Sequence, residues 1–309
     1  MVVSGNRVCN ILTFSRIILL IIIDMKLEGR RESQNVDDRR GMKTSTKAGM
    51  GIGGLLIAGL LALFLGGDPS QVLQQMSSGT TTTEESNYVP TAEEEALATF
   101  AKQILAGTED VWTAEFKKMG RTYKPPKLVL FKDAVQSGCG GATSASGPFY
   151  CSADQCVYLD LSFFSDMYKQ LGADGDFAYA YVIAHEVGHH VQYLLGTLDA
   201  AHQKMRQVSE KESNQISVRL ELQADFYAGI WAYHDNKMFG SLEDGDIEEG
   251  LNVASKIGDD YLQKKARGYS VPDSFNHGRS DQRVKWLKKG LTSGDVKLGD
   301  TFSPAYNSL

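Results

Sequence analysis

Hydrophobic and polar positions divide the chain into an N-terminal part and a folded domain. The uncharged apolar run AGMGIGGLLIAGLLALFLGG fills residues 48–67. About 20 helical residues at ~1.5 Å rise cross the ~30 Å core of a bilayer. Residues 68–90 are rich in Ser, Thr and Gly and predict a linker. We therefore predict a tail at residues 1–47, one transmembrane helix at 48–67, and an α+β domain at 91–309.

The tail is basic next to the predicted span. Seven Lys and Arg residues lie between positions 26 and 47, whereas the stretch after Gly67 carries few charges before Tyr88. The positive-inside rule then places the tail in the cytoplasm. We expect a single-pass protein of the bacterial cytoplasmic membrane, with its domain exported.

Residues 1–24 do not fit this scheme. Their apolar part, Ile11 to Ile23, is interrupted by Arg16 and is short for a membrane span. No small-residue cleavage site of a signal peptide follows it. We expect translation to begin at Met25, and the alternative is a short membrane-associated segment.

The domain alternates between strand-like and helix-like patterns. Thr91 and Glu94 form a capping box before a run with helical spacing. KLVLF at 127–131 and CVYLDLSFF at 156–164 predict strands. Two long helical patterns follow, one from Asp176 to a stop at Gly196 and one around NQISVRLELQADFYAGIWAYH.

Charge and cysteine content narrow the class of protein. A net charge of -6 and a pI of about 5.6 lack the basic footprint of nucleic-acid binders, so we expect no nucleic-acid partner.

Cys139, Cys151 and Cys156 fall in the part predicted to be exported, where disulfides persist. A disulfide between Cys139 and Cys151 would close a short loop, but spacing alone does not assign the pair. The alternative is reduced, buried cysteines.

The stretch HEVGHH is a candidate metal site. On a helix, His185 and His189 share one face and lie one turn apart, so both imidazoles can reach one ion. Glu186 lies beside them, where it can act as general base on a water bound to that ion. His190 points about 100° away from His189 and is not a predicted ligand. The alternative is a set of ordinary polar groups on an amphipathic helix.

A third ligand decides between these interpretations. Gln192 and Leu195 stand where the metzincin pattern requires Gly and His, which excludes that class. On the second helix, Glu221 and Asp225 share a face beside an apolar seam, where an unpaired carboxylate is costly. A metal would stabilise Glu221, and a hydrogen bond to a ligating imidazole would stabilise Asp225. Two solvated carboxylates near Arg219 are the alternative.

These motifs together carry a resemblance to known zinc proteases. HEVGHH followed by ELQADFYAGIW resembles the gluzincins, in which an ExxxD helix supplies the third ligand and an outer carboxylate. With GRRESQNVDDRRG, GPFYC and HGRSDQRVKW, the chain resembles the bacterial neutral zinc metallopeptidase family from about Met25 to Leu291. Residues 1–24 lie outside the pattern.

The resemblance implies a zincin-like α+β fold and hydrolysis of peptide bonds in a protein or peptide substrate. Zn2+ would be held by His185, His189 and Glu221. Glu186 would serve as the catalytic base, and Asp225 would orient a ligand.

The segment HGRSDQRVKW resembles the HPxxxxR segment of CAAX-prenyl-type zinc proteases, with Gly278 in place of the proline. The resemblance suggests that His277 enters the cleft and donates a hydrogen bond to the oxyanion. Arg283 would then hold this segment in place. The alternative for His277 is a structural histidine at a helix entry.

A different class of function is a membrane-anchored interaction module in which zinc is structural. Three ligands beside Glu186 would leave the fourth zinc position open, whereas structural zinc sites are usually closed by four protein ligands. The pattern therefore favours a zinc metallopeptidase, of a metalloendopeptidase type. The sequence predicts no oligomeric state.

Overall fold

A computed structural model of the 309-residue chain describes residues 25–44, 83–85, 88–172 and 175–309. The described part is a mixed α+β structure that is mostly helical. The helices are α1 (Ala92–Lys118), α2 (Ser162–Leu171), α3 (Asp176–Leu195), α4 (Thr197–Met205), α5 (Glu210–Phe239), α6 (Asp246–Lys256), α7 (Asp259–Arg267) and α8 (Ser280–Ser293). The strands are β1 (Val36–Asp38), β2 (Met42–Thr44), β3 (Thr83–Glu85), β4 (Lys127–Phe131), β5 (Ala134–Ser137), β6 (Gly140–Thr143), β7 (Phe149–Cys151) and β8 (Cys156–Asp160).

One four-stranded sheet supports the helical layer. Its strand order is β1–β4–β8–β7, with β1, β4 and β8 parallel and β7 antiparallel to β8. The two central strands are almost wholly buried, which explains their unbroken apolar sequences. Phe149 and Tyr158 are register partners across β7 and β8, and their rings stack with centroids 4.8 Å apart. The sheet thereby holds β7 at its outer edge, next to α3.

The capping box at Thr91 and Glu94 is confirmed, and it begins a helix of 27 residues. The buried face of this helix, α1, packs against the helices that carry the candidate metal ligands. Trp112 on α1 meets Tyr227 on α5 edge to face, with ring centroids 5.4 Å apart.

Helices α3 and α5 approach each other closely at Gly188. A Cβ atom at this position would lie 2.9 Å from the carbonyl oxygen of Ala224, which is too close for any side chain. The glycine inside HEVGHH therefore lets the two ligand-bearing helices pack backbone to backbone. The interface of α5 with α8 uses Gly229 and Gly290 in the same way.

The predicted strand at 156–164 is too long. Strand β8 ends at Asp160, and α2 begins at Ser162. The Asp160 carboxylate accepts hydrogen bonds from the backbone N–H of Ser162 at 3.0 Å and of Asp133 at 2.9 Å. Such side-chain bonds to nearby backbone groups compete with the strand ladder and turn the chain. Phe164 and Met167 are then buried with helical spacing.

Residues 25–44 are part of the folded domain and do not form the separate tail that we predicted. Strand β1 pairs with β4, and Met25 and Leu27 are buried in the main hydrophobic core. The guanidinium group of Arg30 donates to Asp235 on α5 at 2.8 and 3.2 Å. Three of the positive charges that suggested a cytoplasmic flank, those of Arg30, Arg31 and Arg40, therefore have carboxylate partners on α1 or α5.

These contacts bear on the predicted membrane topology. Residues 1–24 and the predicted span at 48–67 lie outside the described residues, so the span itself stays a prediction. Within the described ranges, no helix is both long and apolar enough to cross a bilayer. Residues 25–44 touch the domain directly, and Thr44 is the register partner of Thr83. The exported location of the domain also stays a prediction.

The structure joins Cys139 to Cys151 by a disulfide and leaves Cys156 as a buried thiol. The bond ties the turn between β5 and β6 to the edge strand β7. Cys139 lies within the glycine-rich segment at residues 137–148 and Cys151 lies just after it, and this segment forms one wall of the cleft described below.

Candidate metal centre

Three predicted metal ligands converge at the crossing of α3 and α5. The Nε2 atom of His185 lies 3.2 Å from one oxygen of Glu221, and the Nε2 atom of His189 lies 3.4 Å from the other. One donor atom from each residue lies within 4.8 Å of the donors of the other two. The two helices therefore present three ligand atoms to one point.

These distances fit zinc. Zinc binds imidazole nitrogen and carboxylate oxygen at about 2.0–2.2 Å with tetrahedral geometry, so neighbouring donors should lie roughly 3.3 Å apart. The distances of 3.2 and 3.4 Å from His185 and His189 to Glu221 are close to that spacing, although each runs to a different oxygen of the carboxylate.

A buried ion-pair network orients His185. Its Nδ1 atom lies 2.8 Å from Oδ1 of Asp225, which leaves Nε2 free to face the metal position. Asp225 is completely buried and also accepts from the Tyr181 hydroxyl at 2.5 Å. Arg283 donates to both Asp225 oxygens, at 2.9 and 2.8 Å. Asp225 therefore lies next to the imidazole of His185, one of the candidate metal ligands.

Arg283 joins its own segment to α5 through Asp225, and it also reaches the metal centre. Its side chain is 4% exposed and reaches from α8 into the metal centre, where its Nη2 atom is 3.8 Å from Glu221. It does not merely hold its own segment. The sequence could have suggested this role only through the rule that a buried carboxylate such as Asp225 requires a partner.

Gln192 orients His189, although the sequence analysis used Gln192 only to exclude the metzincin class. The side-chain oxygen of Gln192 lies 2.9 Å from Nδ1 of His189. The Gln192 amide nitrogen donates to the Leu220 carbonyl at 2.7 Å and to Gln223 at 3.1 Å. These bonds fix the amide, so Gln192 accepts from His189 and leaves Nε2 of that imidazole facing the metal position.

The charges at this site shift the pKa values of the metal-free groups in opposite directions. Burial alone lowers the pKa of His185, but the carboxylates of Asp225 and Glu221 outweigh it and raise that pKa to about 10. Burial alone raises the pKa of Asp225, but Arg283 and His185 lower it to about 2. The pKa of Glu221 is also held well below its usual value, because His189 and His185 outweigh the effect of burial. Both carboxylates are therefore ionised at neutral pH.

Glu186 is 8% exposed and lines the same cleft as the three donors. Burial raises the pKa of its carboxyl group, while the neighbouring imidazoles of His189 and His185 act in the opposite direction. A raised carboxyl pKa suits a group that must take up a proton and release it near neutral pH.

The cleft beside these residues has a volume of about 380 Å³. The glycine-rich loop forms one wall, and apolar side chains form much of the rest. Five of these apolar residues come from α2, α3, α7 and the end of α6, and they are Met167, Leu171, Val182, Ile257 and Leu262. An apolar surface thus adjoins the position of the metal.

His277 lines this cleft, as predicted from the resemblance. Its backbone N–H and that of Gly278 both donate to Oδ2 of Asp259, at 2.7 and 2.9 Å. Its Nδ1 atom lies 3.5 Å from Oδ1 of the same carboxylate. Gly278 has a φ of +94°, which proline cannot adopt, and this explains the departure from the HPxxxxR pattern.

Two other histidines lie near the centre. His190 is not among the metal donors, because its Nδ1 atom meets the Tyr150 hydroxyl at 2.9 Å and its Nε2 atom meets the Lys124 carbonyl at 2.7 Å. The carbonyl can only accept, so Nε2 donates and Tyr150 donates to Nδ1. Burial lowers the pKa of His190 to about 4, which keeps it neutral. His202 lines the cleft from α4, a position that its local sequence did not predict.

Comparisons with known proteins agree with this site. The chain is 47% identical over 287 residues to the uncharacterized protein YpfJ of Escherichia coli (strain K12), an alignment that covers 90% of this chain and 99% of that protein. It is 37% identical over 260 residues to the uncharacterized proteins Mb2605 of Mycobacterium bovis and Rv2575 of Mycobacterium tuberculosis, covering 79% of this chain and 86% of each relative. No solved structure matches the chain. The family described as "Putative neutral zinc metallopeptidase", whose name implies a zinc cofactor, matches residues 25–302, and the chain belongs to this family.

Proposed function

We propose that this protein is a zinc-dependent peptidase that hydrolyses peptide bonds with Glu186 as its general base. One observation carries the proposal. Donor atoms of His185, His189 and Glu221 lie within 4.8 Å of one another, and a second carboxyl group, that of Glu186, lines the same cleft. Three protein ligands and a free fourth position are typical of catalytic zinc sites.

Zinc, when bound, supplies a Lewis acid that polarises the substrate carbonyl and lowers the pKa of water to about 7. The carboxylate of Glu186 accepts a proton from the attacking water and later delivers it to the leaving amine. Asp225 and Gln192 keep the imidazoles of His185 and His189 in the tautomer whose Nε2 carries a free electron pair.

His277 is proposed as the donor to the oxyanion of the tetrahedral intermediate. The Asp259 carboxylate holds the backbone of this segment and lies 3.5 Å from Nδ1 of the ring. Loss of one oxyanion donor lowers kcat by about 10²–10³-fold in other hydrolases. A His277→Ala variant should lose activity on this scale and keep its zinc, and unchanged kcat would reject the role.

The apolar wall supports a preference for substrates with a bulky apolar side chain beside the scissile bond. Val182 lies on α3 one turn before Glu186 and lines the cleft together with Met167. A Val182→Asp variant should cut peptides with Leu or Phe at that position less efficiently, through kcat/KM. A parent enzyme that cuts peptides with Asp and Leu at that position equally well would contradict the preference.

The disposition of the two ligand helices supports a zincin-like arrangement, and the disulfide supports a location outside the cytoplasm, where such bonds persist. Residues 25–44 would share that location because they contact the domain. Alkylation of cysteines in intact cells, followed by mass spectrometry, tests this point. Free thiols at both Cys139 and Cys151 would contradict it.

The experiment that tests the peptidase function compares the full chain with its Glu186→Gln variant, at matched zinc content, on an unfolded protein substrate. Glu210→Gln is the matched control, because Glu210 is exposed at the start of α5. We expect cleavage by the parent and the control and none by Glu186→Gln. Equal cleavage by all three proteins would show a contaminating protease.

The same experiment separates the rival function, a membrane-anchored interaction module with a structural zinc. If parent, control and variant all bind stoichiometric zinc and none cleaves, that rival gains support. The group of three donors disfavours it, since structural zinc sites are usually closed by a fourth protein ligand.

A further inference from the structure

The cleft has two chemically different ends, and the proposed reaction accounts for only one of them. Val182 on α3 belongs to the apolar wall, and His189 follows on the same helix about 10 Å away, at ~1.5 Å per residue. Beyond His189 the cleft is bordered by α4, which contributes Leu198, His202 and Met205. The metal position therefore has the apolar wall on one side and α4 on the other.

His202 has no task in the reaction described above. It lines the cleft, but it does not belong to the group of donors that lie within 4.8 Å of one another. Among the described residues, neither nitrogen of its ring has a hydrogen-bond partner. Burial lowers the pKa of His202, and the neighbouring His189 acts in the same direction. The neutral ring then offers one N–H donor and one acceptor.

Ser217 is a second polar group at this end of the cleft. It lies on α5 one turn before Glu221 and lines the cleft. On the same helix, Asp225 contacts His185, and Glu221 also reaches His189. Helix α5 therefore runs antiparallel to α3 here, which puts Ser217 toward His189. Ser217 is 8% exposed, and its hydroxyl group has no hydrogen-bond partner in the part of the chain that the structure describes.

Two such groups facing one cleft match the main chain of a peptide. Buried polar side chains are nearly always hydrogen-bonded, so a hydroxyl group and an imidazole without protein partners point to a ligand. An imidazole and a hydroxyl group can each donate and accept. An extended peptide presents N–H donors and carbonyl acceptors at intervals of about 3.3 Å per residue.

The apolar neighbours of this pair strengthen the match. Leu198 and Leu220 are buried in one hydrophobic cluster, with Met205 packed against it, and all three line the cleft. Hydrogen bonds made beside such side chains are stronger than in water, because the local dielectric constant is low.

We propose that His202 and Ser217 hydrogen-bond the main chain of the substrate on the side of the scissile bond opposite the apolar wall. This inference rests on the proposed peptidase function and names its substrate class. The substrate is an extended polypeptide segment that is cut internally and fills the cleft on both sides of the metal. Because the contacts are to the main chain, they select for length on this side and not for a particular side chain.

The test measures peptide binding, so that it does not depend on turnover. The protein is the zinc-loaded full chain with Glu186→Gln, and fluorescence anisotropy reports the Kd. One peptide extends on both sides of a single Leu, the residue expected at the apolar wall. Two shorter peptides each lack the residues on one side of that Leu.

The His202→Ala and Ser217→Ala substitutions, made in this protein, should each weaken binding of the long peptide about twofold to tenfold, as expected for one hydrogen bond. They should weaken binding of one short peptide equally and leave the other short peptide unaffected, because it does not reach the pair. His202→Gln keeps a donor and an acceptor and should recover part of the loss, which a merely structural role would not predict. Gln203→Ala is the matched control, because Gln203 is exposed on the same helix.

Unchanged binding of the long peptide by His202→Ala would overturn the proposal. An equal loss for all three peptides, or no binding of any peptide to the zinc-loaded Glu186→Gln protein, would also overturn it. Cleavage by the protein with Glu186 intact tests the proposed function separately. If that protein cuts the long peptide and His202→Ala leaves kcat/KM unchanged, only this inference fails. If it cuts none of the peptides while the length-dependent binding is present, only the peptidase function fails.

Discussion

The Arg283→Met substitution tests whether the buried ion pair behind the metal centre is as important as its geometry implies. Arg283 is 4% exposed and makes two hydrogen bonds to Asp225, which has no exposed surface. Removal of one partner from a buried pair costs about 3–5 kcal/mol, because the other charge stays buried without compensation. We expect a loss in this range in the free energy of unfolding.

The Arg283→Met substitution should lower the free energy of zinc binding by less than it lowers the free energy of unfolding. Asp225 would keep its contacts with His185 at 2.8 Å and Tyr181 at 2.5 Å, so the imidazole stays oriented. Loss of an outer partner of a metal ligand usually lowers metal affinity about 10–100-fold, and the remaining contacts place this case near the lower bound.

Urea unfolding in the presence of a chelator measures stability without the contribution of bound zinc. A competition titration with a chromogenic chelator measures the affinity for zinc. Arg279→Met is the matched control, because Arg279 precedes the same helix and pairs with Asp281 at the surface, where both side chains are well exposed. Exposed pairs contribute about 0–1 kcal/mol.

A double variant completes the test. Arg283→Met combined with Asp225→Asn removes both charges and should be less destabilised than the two single losses predict. A loss below 1 kcal/mol for Arg283→Met alone, or strict additivity in the double variant, would refute this account of the buried pair.

Three further predictions concern the same centre and its cleft. Gln192→Ala removes the acceptor that orients His189, so zinc affinity should fall about tenfold, and an unchanged chelator titration would contradict this. Zinc binding at pH 7 should release a proton, because the metal-free pKa of His185 is raised to about 10 and zinc requires the unprotonated Nε2. Calorimetry in two buffers of different ionisation enthalpy measures the number of protons released. A binding enthalpy that does not depend on the buffer would contradict a protonated His185 in the metal-free protein. Reduction of the Cys139–Cys151 bond should lower the free energy of unfolding by about 3 kcal/mol with zinc content unchanged, and equal urea midpoints with and without reductant would contradict this.

Local patterns in the sequence were sufficient for the elements that carry the site. The spacing of four residues in His185 and His189, and again in Glu221 and Asp225, is a property of helical geometry. It placed each pair on one face without any tertiary information. The capping box at Thr91 likewise depends on residues three positions apart. Such predictions hold because the interacting groups are neighbours along the chain.

The boundary of β8 shows where local patterns fail. The run CVYLDLSFF reads as one apolar strand, but the Asp160 carboxylate accepts hydrogen bonds from the backbone N–H groups of Ser162 and Asp133, which lie just past the ends of β8 and β4, and the ladder ends there. Periodicity measures where apolar side chains fall, and it does not detect competition for backbone hydrogen bonds.

The surroundings of the metal centre and the place of residues 25–44 depended on the tertiary structure. Arg283 lies 58 positions from Asp225, and Arg30 lies 205 positions from Asp235. Each pair forms because a buried charge requires an opposite charge, and many residues in the sequence could have met that requirement. The sequence by itself determined which helices carry the ligands. Only the packing of α3, α5 and α8 decided which distant side chains orient those ligands, because that choice depends on distances that no local pattern encodes.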